Sequence, residues 1–306
     1  MLRACSIDQG ESNCGDAKYG CSQLAMVNEW RTQWASANTG NSNIDWPFGF
    51  VELAGYQRTP WNESQQVSQL RRQQQQAAAL DNKTFYAVAM DLSDPAVSVD
   101  LKGADPVHSR FKEQVGLRLS LGGRAVAFGE KDLKWRGPTA VSASLCTPAA
   151  PGVKAVCVKF SHVSDGGILD FSRKFPSVGT LFELGYSDGT WRNATTGLGE
   201  QPSKDIITVT ALAPTPARSG DVGEQEKEEG LSITGVRYAQ YNEPCDPSND
   251  RPGMSPGGGG EHGEPPTLGN MTANLTCALY SRYHFVGGEA SGVLLPARSF
   301  WLNVTG

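Results

Sequence analysis

One of the four histidines in this 306-residue chain, His108, stands in a setting that could support acid–base chemistry. It closes the tetrapeptide D-P-V-H, which begins at Asp105. Pro106 disfavours helical geometry at the residue before it, so we expect a fixed turn. On such a turn the Asp105 carboxylate can fold back to the imidazole, hold its tautomer and stabilise it as it takes a proton from a nucleophile. The same spacing is also typical of an exposed loop histidine beside a helix-capping residue.

A second polar constellation, Q-G-E-S-N at residues 9–13, follows an apolar segment and precedes a helical one. Gln9, Glu11 and Asn13 gather amide and carboxylate groups around a glycine. An asparagine at a strand's carboxyl end can donate its side-chain N–H to a developing oxyanion. The alternative is a polar turn that caps the following helix. Ser12 lies in G-E-S-N-C, which lacks the final Gly of the G-x-S-x-G nucleophile motif, so we expect it to be structural.

Alternating strand-like and helix-like segments must position these residues. Periodicity predicts strands and helices in the order strand 2–7, helix 22–35, strand 48–54, helix 62–80, strand 85–91 and helix 110–127. Such alternation predicts an α/β fold, a parallel sheet covered by helices. Ligand sites in such sheets lie at the carboxyl ends of the strands.

The pattern changes after Gly137. Short β-prone runs at 153–160, 180–184, 206–211, 233–241 and 299–304 are separated by Pro, Gly and Asp, which favours an antiparallel β domain. The sequence therefore predicts two domains, 1–137 and 138–306. Within the second, the Gly- and Pro-rich stretch 251–268 is expected to be a flexible surface insertion.

Glycosylation sequons and cysteines both point to a secretory compartment. Six N-x-S/T sequons occur, at Asn62, Asn82, Asn193, Asn270, Asn274 and Asn303. Such sites are used in chains that enter the secretory pathway. The seven cysteines contain no C-x-x-C pair, which argues against a zinc or thioredoxin-like site. Disulfides are expected instead, with at least one cysteine left over.

Charge and hydropathy exclude two other classes. The formal net charge is −5, whereas nucleic-acid binding needs a basic face. No apolar run approaches the ~18 residues that a membrane span needs. The first six residues are too short for a signal peptide, so we expect the natural N-terminus to lie upstream of Met1.

Several motifs, in order along the chain, resemble those of sialate O-acetylesterases, a family of the SGNH/GDSL hydrolases. The resemblance is dense over 9–137 and diffuse afterwards. The matching stretches are Q-G-E-S-N at 9–13, N-E-W-R at 28–31, P-F-G-F-V at 47–51, F-Y-A-V-A-M-D-L at 85–92, V-H-S-R-F-K at 107–112, L-G-G-R-A-V-A-F-G-E-K at 121–131, R-Y-A at 237–239 followed by P-C at 244–245, and C-A-L-Y at 277–280.

The resemblance implies hydrolysis of O-acetyl esters by a serine and a histidine in a secreted or lysosomal protein. It assigns His108 as the histidine and Asn13 as an oxyanion-hole donor, with Gln9 and Glu11 in the same loop. Asp105 fits the D-x-x-H spacing of the wider group. The orienting acid varies in this family, so Asp91 and Asp94 remain rivals. The expected partner is an O-acetylated sugar or glycoconjugate, with no metal or organic cofactor, and the oligomeric state stays open.

Two departures from the family pattern matter. Ser109 stands where the family usually has Pro, which is minor. The family nucleophile lies in a G-Q-S-N segment upstream of Q-G-E-S-N, and no G-Q-S-N occurs in this chain. We therefore expect an N-terminally truncated chain, inactive by itself. The alternatives are an inactive carbohydrate-binding or interaction protein of the same fold, and an acetylesterase for plant or microbial polysaccharides.

Overall fold

The structure, a computed structural model, describes residues 4–37, 46–55, 66–93, 107–108, 111–147, 153–170, 181–196, 203–211, 230–240, 279–283 and 293–305. The chain divides into two compact units. The first comprises Met1–Arg136, Tyr241–Cys277 and Tyr283–Pro296, and the second comprises Gly137–Gln240, Ala278–Arg282 and Ala297–Gly306. The predicted ranges 1–137 and 138–306 stay a prediction, since the first unit also takes in later segments. The predicted insertion 251–268 lies outside the described residues.

The first unit contains a three-stranded parallel sheet with helices. Its elements are β1 (Cys5–Ile7), α1 (Tyr19–Ala37), β2 (Phe48–Glu52), α2 (Gln66–Ala79), β3 (Thr84–Val88) and α3 (Lys112–Ala127). The strand order is β1-β2-β3, and both pairings are parallel. Helix α1 packs against α2, which contacts β2, while α3 packs against β3 and β2. The predicted parallel sheet with flanking helices is confirmed.

Burial explains why β2 is the central strand. All five of its residues are buried, as are four of the five in β3. A parallel strand covered on both sides reads as a continuous apolar run, and Phe48–Val51 has that character. Helix α3 was predicted to begin at residue 110, and it begins at Lys112, after Phe111 at its N-cap position.

The second unit is mainly β. Its strands are β4 (Thr139–Cys146), β5 (Ala155–Ser161), β6 (Leu169–Asp170), β7 (Phe182–Tyr186), β8 (Trp191–Thr196), β9 (Ile206–Ala211), β10 (Ile233–Tyr238), β11 (Leu279–Tyr283) and β13 (Phe300–Thr305). Strand β12 (Val293–Pro296) belongs to the first unit. Strands β6 and β11 pair with each other in antiparallel fashion.

Seven of these strands close into a barrel in the order β10-β13-β4-β5-β9-β8-β7. Six pairings are antiparallel, and β13 pairs with β4 in parallel. The prediction of a purely antiparallel domain is therefore wrong at this pair. Strands can alternate in direction all the way around a closed barrel only if their number is even. A seven-stranded barrel needs at least one parallel neighbour pair.

Aromatic side chains fill the barrel interior. The ring centroid of Phe300 lies 5.6 Å from those of both Phe160 and Tyr238, and Phe182 lies 4.9 Å from Tyr238. All four side chains are buried.

The outer side of the neighbouring pair β4–β5 carries a disulfide between Cys146 and Cys157, whose Cα atoms are 5.7 Å apart.

Candidate active site

The Gln9–Asn13 segment forms a tight turn at the carboxyl end of β1. Gly10 has φ 135°, a conformation that side-chain-bearing residues rarely adopt. A Cβ at this position would lie 2.8 Å from Leu70 Cδ2. Residues Glu11–Asn13 then form a single 3₁₀ turn, in which the Asn13 N–H donates to the Gly10 carbonyl at 2.8 Å. The chain therefore needs glycine here to bring the polar residues on either side into one turn.

Gln9 and Asn13 are hydrogen-bonded to each other, and the Tyr19 hydroxyl contacts Gln9. Gln9 Nε2 donates to Asn13 Oδ1 at 2.8 Å. The Tyr19 hydroxyl lies 3.0 Å from the Gln9 carbonyl oxygen and 2.9 Å from its Oε1. Burial raises the pKa of Tyr19 to about 12, so its hydroxyl stays protonated and remains a donor. Because Asn13 Oδ1 accepts a hydrogen bond from Gln9 Nε2, the N–H₂ group of the Asn13 side chain points away from Gln9.

Two polar residues of α2 bind the strand ends next to this turn. Arg71 is fully buried and donates to the carbonyls of Leu53 and Ala54, both at 2.7 Å, just after β2 ends. Gln74 Nε2 lies 3.0 Å from the Val51 carbonyl oxygen and 3.4 Å from that of Gln9. These bonds satisfy backbone acceptors at the sheet edge. They also tie the turn after β1 to the end of β2.

His108 lies at the same edge of the sheet, on the segment that precedes α3. Its side chain is exposed, and its neighbour Val107 is buried. Val107 packs in a cluster formed by the end of β2, the segments that follow β2 and β3, and the start of α3. The members of that cluster are Val51, Ala54, Ala89, Leu92, Val107, Phe111 and Val115. Val107 therefore anchors the histidine beside the carboxyl ends of β2 and β3.

An ion pair connects the turn after β1 with the start of α3. Lys112 Nζ lies 2.8 Å from Asp8 Oδ2. Asp8 directly precedes Gln9, and Lys112 follows His108 by four residues. A four-residue segment spans at most about 14 Å when fully extended. The pair therefore limits how far His108 can lie from the Gln9–Asn13 segment.

Of the three candidate orienting acids, only Asp91 lies among the described residues. Its two carboxylate oxygens accept from Arg118 Nη1 and Nη2 at 2.6 and 2.7 Å, and both side chains are buried. Arg118 Nη1 also donates to the Val88 carbonyl at 2.5 Å. Asp91 thus fixes α3 to the end of β3. Asp94 and Asp105 lie outside the described residues.

Two nucleophile-type side chains sit in or beside the turn. Ser12 is exposed at the middle of the 3₁₀ turn. Cys14 packs partly buried against the cluster of Tyr19, Leu53, Val67 and Leu70. Burial raises the pKa of the Cys14 thiol, although Arg71 acts in the opposite direction. A thiol with a raised pKa is a poor nucleophile at neutral pH.

The supporting residues were missed at the sequence level. Tyr19, Arg71, Gln74 and Lys112 sit on helices, and their partners are 10 to 104 residues away in sequence. The one available signal was the polar character of α2, which carries Arg71-Arg72 and four consecutive glutamines. A helix that packs on a sheet through such a face must bind backbone groups.

Three of the six sequon asparagines are described, and all three are exposed. Asn82 lies in the turn before β3, Asn193 lies in β8 and Asn303 lies in β13. Asn62, Asn270 and Asn274 lie outside the described residues. Two kinds of feature are absent from the described part of the chain. No group of three His, Cys, Asp or Glu side chains there could hold a metal ion, and none of its helices has the length and apolarity for a membrane span.

Comparison with known proteins gives two kinds of similarity. Over 142 residues, 42% of this chain, the sequence is 32% identical to the sialate O-acetylesterase of Rattus norvegicus and 31% identical to that of Homo sapiens. The match covers 24% and 25% of those proteins, so it spans about a quarter of their length. No protein-family model matches.

A solved structure extends the likeness to the fold of nearly the whole chain. A carbohydrate acetylesterase from Xanthomonas citri superposes with a TM-score of 0.59 at 20% identity. The alignment covers 98% of this chain and 50% of that one. At this identity the likeness concerns the fold.

Proposed function

We propose that this chain comes from a protein of the sialate O-acetylesterase family, which it matches at 31–32% identity over 42% of its length, and that the full-length protein hydrolyses O-acetyl esters on carbohydrates, with O-acetylated sialic acids as its substrate. The reaction is acyl transfer in two steps. A serine attacks the acetyl carbonyl while His108 removes its proton. The tetrahedral intermediate then collapses, and His108 returns the proton to the departing sugar oxygen. In the second step His108 activates water to release acetate.

Asn13 and backbone N–H groups of the 9–13 turn stabilise the oxyanion. The bond from Gln9 Nε2 to Asn13 Oδ1 at 2.8 Å supports this role, since it fixes the Asn13 amide with its oxygen towards Gln9 and leaves its N–H₂ to act as a donor. Removing one oxyanion donor typically costs about 10²–10³ in kcat. Gln9 positions Asn13, and Glu11 belongs to the same turn. Asp105 is proposed as the residue that orients His108, with Asp94 as its rival.

The Asp8–Lys112 ion pair is the observation that carries this assignment. It joins the turn bearing Asn13 to the helix start that follows His108. Both segments flank the carboxyl edge of one parallel sheet, where ligands bind in folds of this class. An imidazole and an amide donor held at this edge supply two of the three groups that acyl transfer needs.

The third group, the nucleophile, is proposed to be a serine outside these 306 residues, since the G-Q-S-N segment of the family is absent here. The test is to assay the purified chain on p-nitrophenyl acetate beside the full-length protein. We expect turnover from the full-length protein and none above background from the chain. Turnover by the chain that is abolished in a Ser12→Ala variant would contradict this assignment and make Ser12 the nucleophile.

The same assay separates the esterase from the alternative of an inactive carbohydrate-binding protein. Asn13→Ala in the full-length protein should lower kcat on O-acetylated sialic acid by about 10²–10³. Gln33→Ala, an exposed change on α1 away from the turn, is the matched control and should leave kcat unchanged. A full-length protein that binds the sugar but releases no acetate would favour the binding alternative.

We further propose that the chain folds in a secretory compartment, as a secreted or lysosomal glycoprotein. The Cys146–Cys157 disulfide supports this, because structural disulfides persist in oxidising compartments. The exposure of Asn82, Asn193 and Asn303 also supports it. Peptide mass spectrometry of the protein secreted by a eukaryotic host tests the proposal, and unmodified asparagine at all three positions would contradict it.

A further inference from the structure

Two tryptophans meet on the outer face of the barrel although their strands are not neighbours. The ring centroids of Trp191 on β8 and Trp301 on β13 lie 4.9 Å apart, at an interplanar angle of 79°. Strands β7 and β10 lie between them, which separates the two backbones by about 14 Å. The indoles must therefore extend across the sheet surface towards each other. Trp301 keeps 41% of its surface exposed.

Two glycines make room for this arrangement. Gly185 pairs with Trp191 on one side and with Gly235 on the other. A Cβ at Gly185 or Gly235 would lie 2.9 or 2.8 Å from Trp191 Cη2. The six-membered ring of the Trp191 indole therefore lies over the bare backbone of β7 and β10. We call Trp191, Trp301 and the Arg237 guanidinium beside them the tryptophan platform.

Arg237 fixes the two rings in place. Its guanidinium carbon lies 4.4 Å from the Trp191 ring centroid and 5.6 Å from that of Trp301, within the range of cation–π attraction. Glu183 on β7 holds the same guanidinium through two bonds of 2.7 and 2.8 Å. The platform is thus rigid and partly apolar, and it is open to solvent at Trp301.

Two glycosylation sequons frame the tryptophan platform. The pattern W-x-N-x-T occurs twice, at residues 191–195 and at residues 301–305. In a strand, residues two apart point to the same side at a spacing of about 7 Å, so Asn193 and Asn303 share the outer face with the tryptophans. The strand register agrees, since Asn193 pairs with Glu183, and Asn303 pairs with Gly235. Both asparagines are exposed.

We propose that N-linked glycans on Asn193 and Asn303 lay their first N-acetylglucosamine rings on the tryptophan platform and thereby stabilise the barrel. Pyranose rings carry faces of C–H bonds, which match the negatively polarised face of an indole. A sugar attached two residues from each tryptophan has a high effective concentration there, which favours the protein's own glycan over a free sugar. The inference rests on the proposed secretory folding.

The attachment step is that of ordinary N-glycosylation. The Asn side-chain nitrogen forms a bond to C1 of the sugar and loses a proton. The bond from C1 to the pyrophosphate of a lipid-linked oligosaccharide donor breaks, and the pyrophosphate leaves with that electron pair. The platform takes no part in this chemistry and acts only on the attached product.

The test is a thermal double-mutant cycle on the chain secreted by a eukaryotic host and trimmed to one N-acetylglucosamine per site. We expect Asn193→Gln with Asn303→Gln to lower Tm by about 2–4 °C, the shift typical of a modest stabilising interaction in a domain of this size. In a Trp301→Leu background the same pair of changes should cause no further loss. Asn82→Gln is the matched control, since it removes a sequon in the turn before β3, and it should leave Tm unchanged in both backgrounds.

Quenching of tryptophan fluorescence by acrylamide gives a second measurement, which needs no change to a tryptophan. The glycosylated chain should be less quenched than the Asn193→Gln, Asn303→Gln variant. Equal quenching, or an equal loss of Tm in both backgrounds, would overturn the inference. Glycan at Asn82 but at neither barrel site would overturn it while leaving the secretory proposal intact. No glycan at any of the three positions would overturn both.

Discussion

Lys112 Nζ lies 2.8 Å from Asp8 Oδ2, so the two residues, 104 positions apart, hold the turn after β1 against the start of α3. The pair is solvent-accessible, with 60% of the lysine side chain and 30% of the aspartate side chain exposed. Pairs of this kind contribute little to global stability. The ion pair instead fixes positions, because it joins the segment that carries Asn13 to the segment that carries His108.

Breaking that pair should loosen the turn without unfolding the protein. The Asn13 N–H donates to the Gly10 carbonyl at 2.8 Å, and we expect Asp8→Asn to speed hydrogen exchange at this amide. The free energy of unfolding should change by only about 0–1 kcal/mol. Asp16→Asn, at an exposed position before α1, is the control. The charge swap Asp8→Lys with Lys112→Asp should restore slow exchange. Unchanged exchange in Asp8→Asn would show that the pair does not hold the turn.

Gly10 should tolerate no side chain. Gly10→Ala forces a Cβ to within 2.8 Å of Leu70 Cδ2 at a φ of 135°, so we expect a loss of about 1–3 kcal/mol in the free energy of unfolding. Gly116→Ala is the matched control on α3, where an added Cβ meets nothing within 4 Å. There alanine should stabilise by about 0.5–1 kcal/mol. Chemical denaturation measures both, and equal effects would contradict the geometry of the turn.

The buried Asp91–Arg118 pair is predicted to be structural. Asp91→Leu leaves the Arg118 charge uncompensated, and we expect it to cost about 3–5 kcal/mol of unfolding free energy. Adding Arg118→Met should recover most of that loss, because an apolar pair of similar volume needs no desolvated charge. Urea denaturation measures the cycle. No recovery in the double variant would argue that Asp91 has a further role, such as orienting His108.

Acid should weaken the link between α1 and the turn before β3. Asp81 Oδ2 lies 2.9 Å from Arg31 Nη1. Burial tends to raise the pKa of Asp81, but bonds from Lys83, Thr84 and Arg31 outweigh it, and the net pKa lies below its usual value. A carboxyl whose pKa is lower in the folded state stabilises the fold above its unfolded pKa of about 3.9 and loses that contribution as pH falls through the folded value.

We therefore expect Asp81→Asn to be less stable than the native chain at pH 7, with the difference shrinking as pH falls below about 4. Urea denaturation from pH 7 to pH 3 measures this. Asp165→Asn, on an exposed loop of the second unit, serves as the control and should show no such pH dependence. A stability difference for Asp81→Asn that is constant over the whole range would contradict the predicted sign.

Periodicity predicted the parallel sheet and helices of the first unit well, because β2 and β3 are buried apolar runs and each helix places apolar residues on its buried face. The three strands of that sheet and the three described helices were expected, and their observed bounds differ by a few residues, whereas β12 of the same unit was missed. In the barrel, β4 and β8 were missed. Strand β4 carries Ser142 and Ser144 between small apolar residues, and β8 places Arg192 and Ala194 on its inner side. Neither strand shows an apolar alternation strong enough to predict from sequence alone.

The candidate site was predicted only as separate segments. The positions of Gln9–Asn13 and His108 at strand ends follow from local patterns and from the resemblance to a family. Their connection depends on Asp8 meeting Lys112 and on Arg71 meeting the end of β2. These contacts join residues that are distant in sequence, and no local pattern encodes them. The parallel pairing of β13 with β4 has the same origin, since barrel closure is a property of the whole ring.

The most direct test of the proposed chemistry is the rate at which the full-length protein releases acetate from O-acetylated sialic acid when His108 is replaced by alanine. Loss of the general base should lower kcat by about 10²–10⁴, added imidazole should restore part of that loss, and the secondary structure by circular dichroism should not change. His162→Ala, an exposed histidine of the second unit, should leave kcat intact. A His108→Ala protein that releases acetate at the native rate would contradict the account.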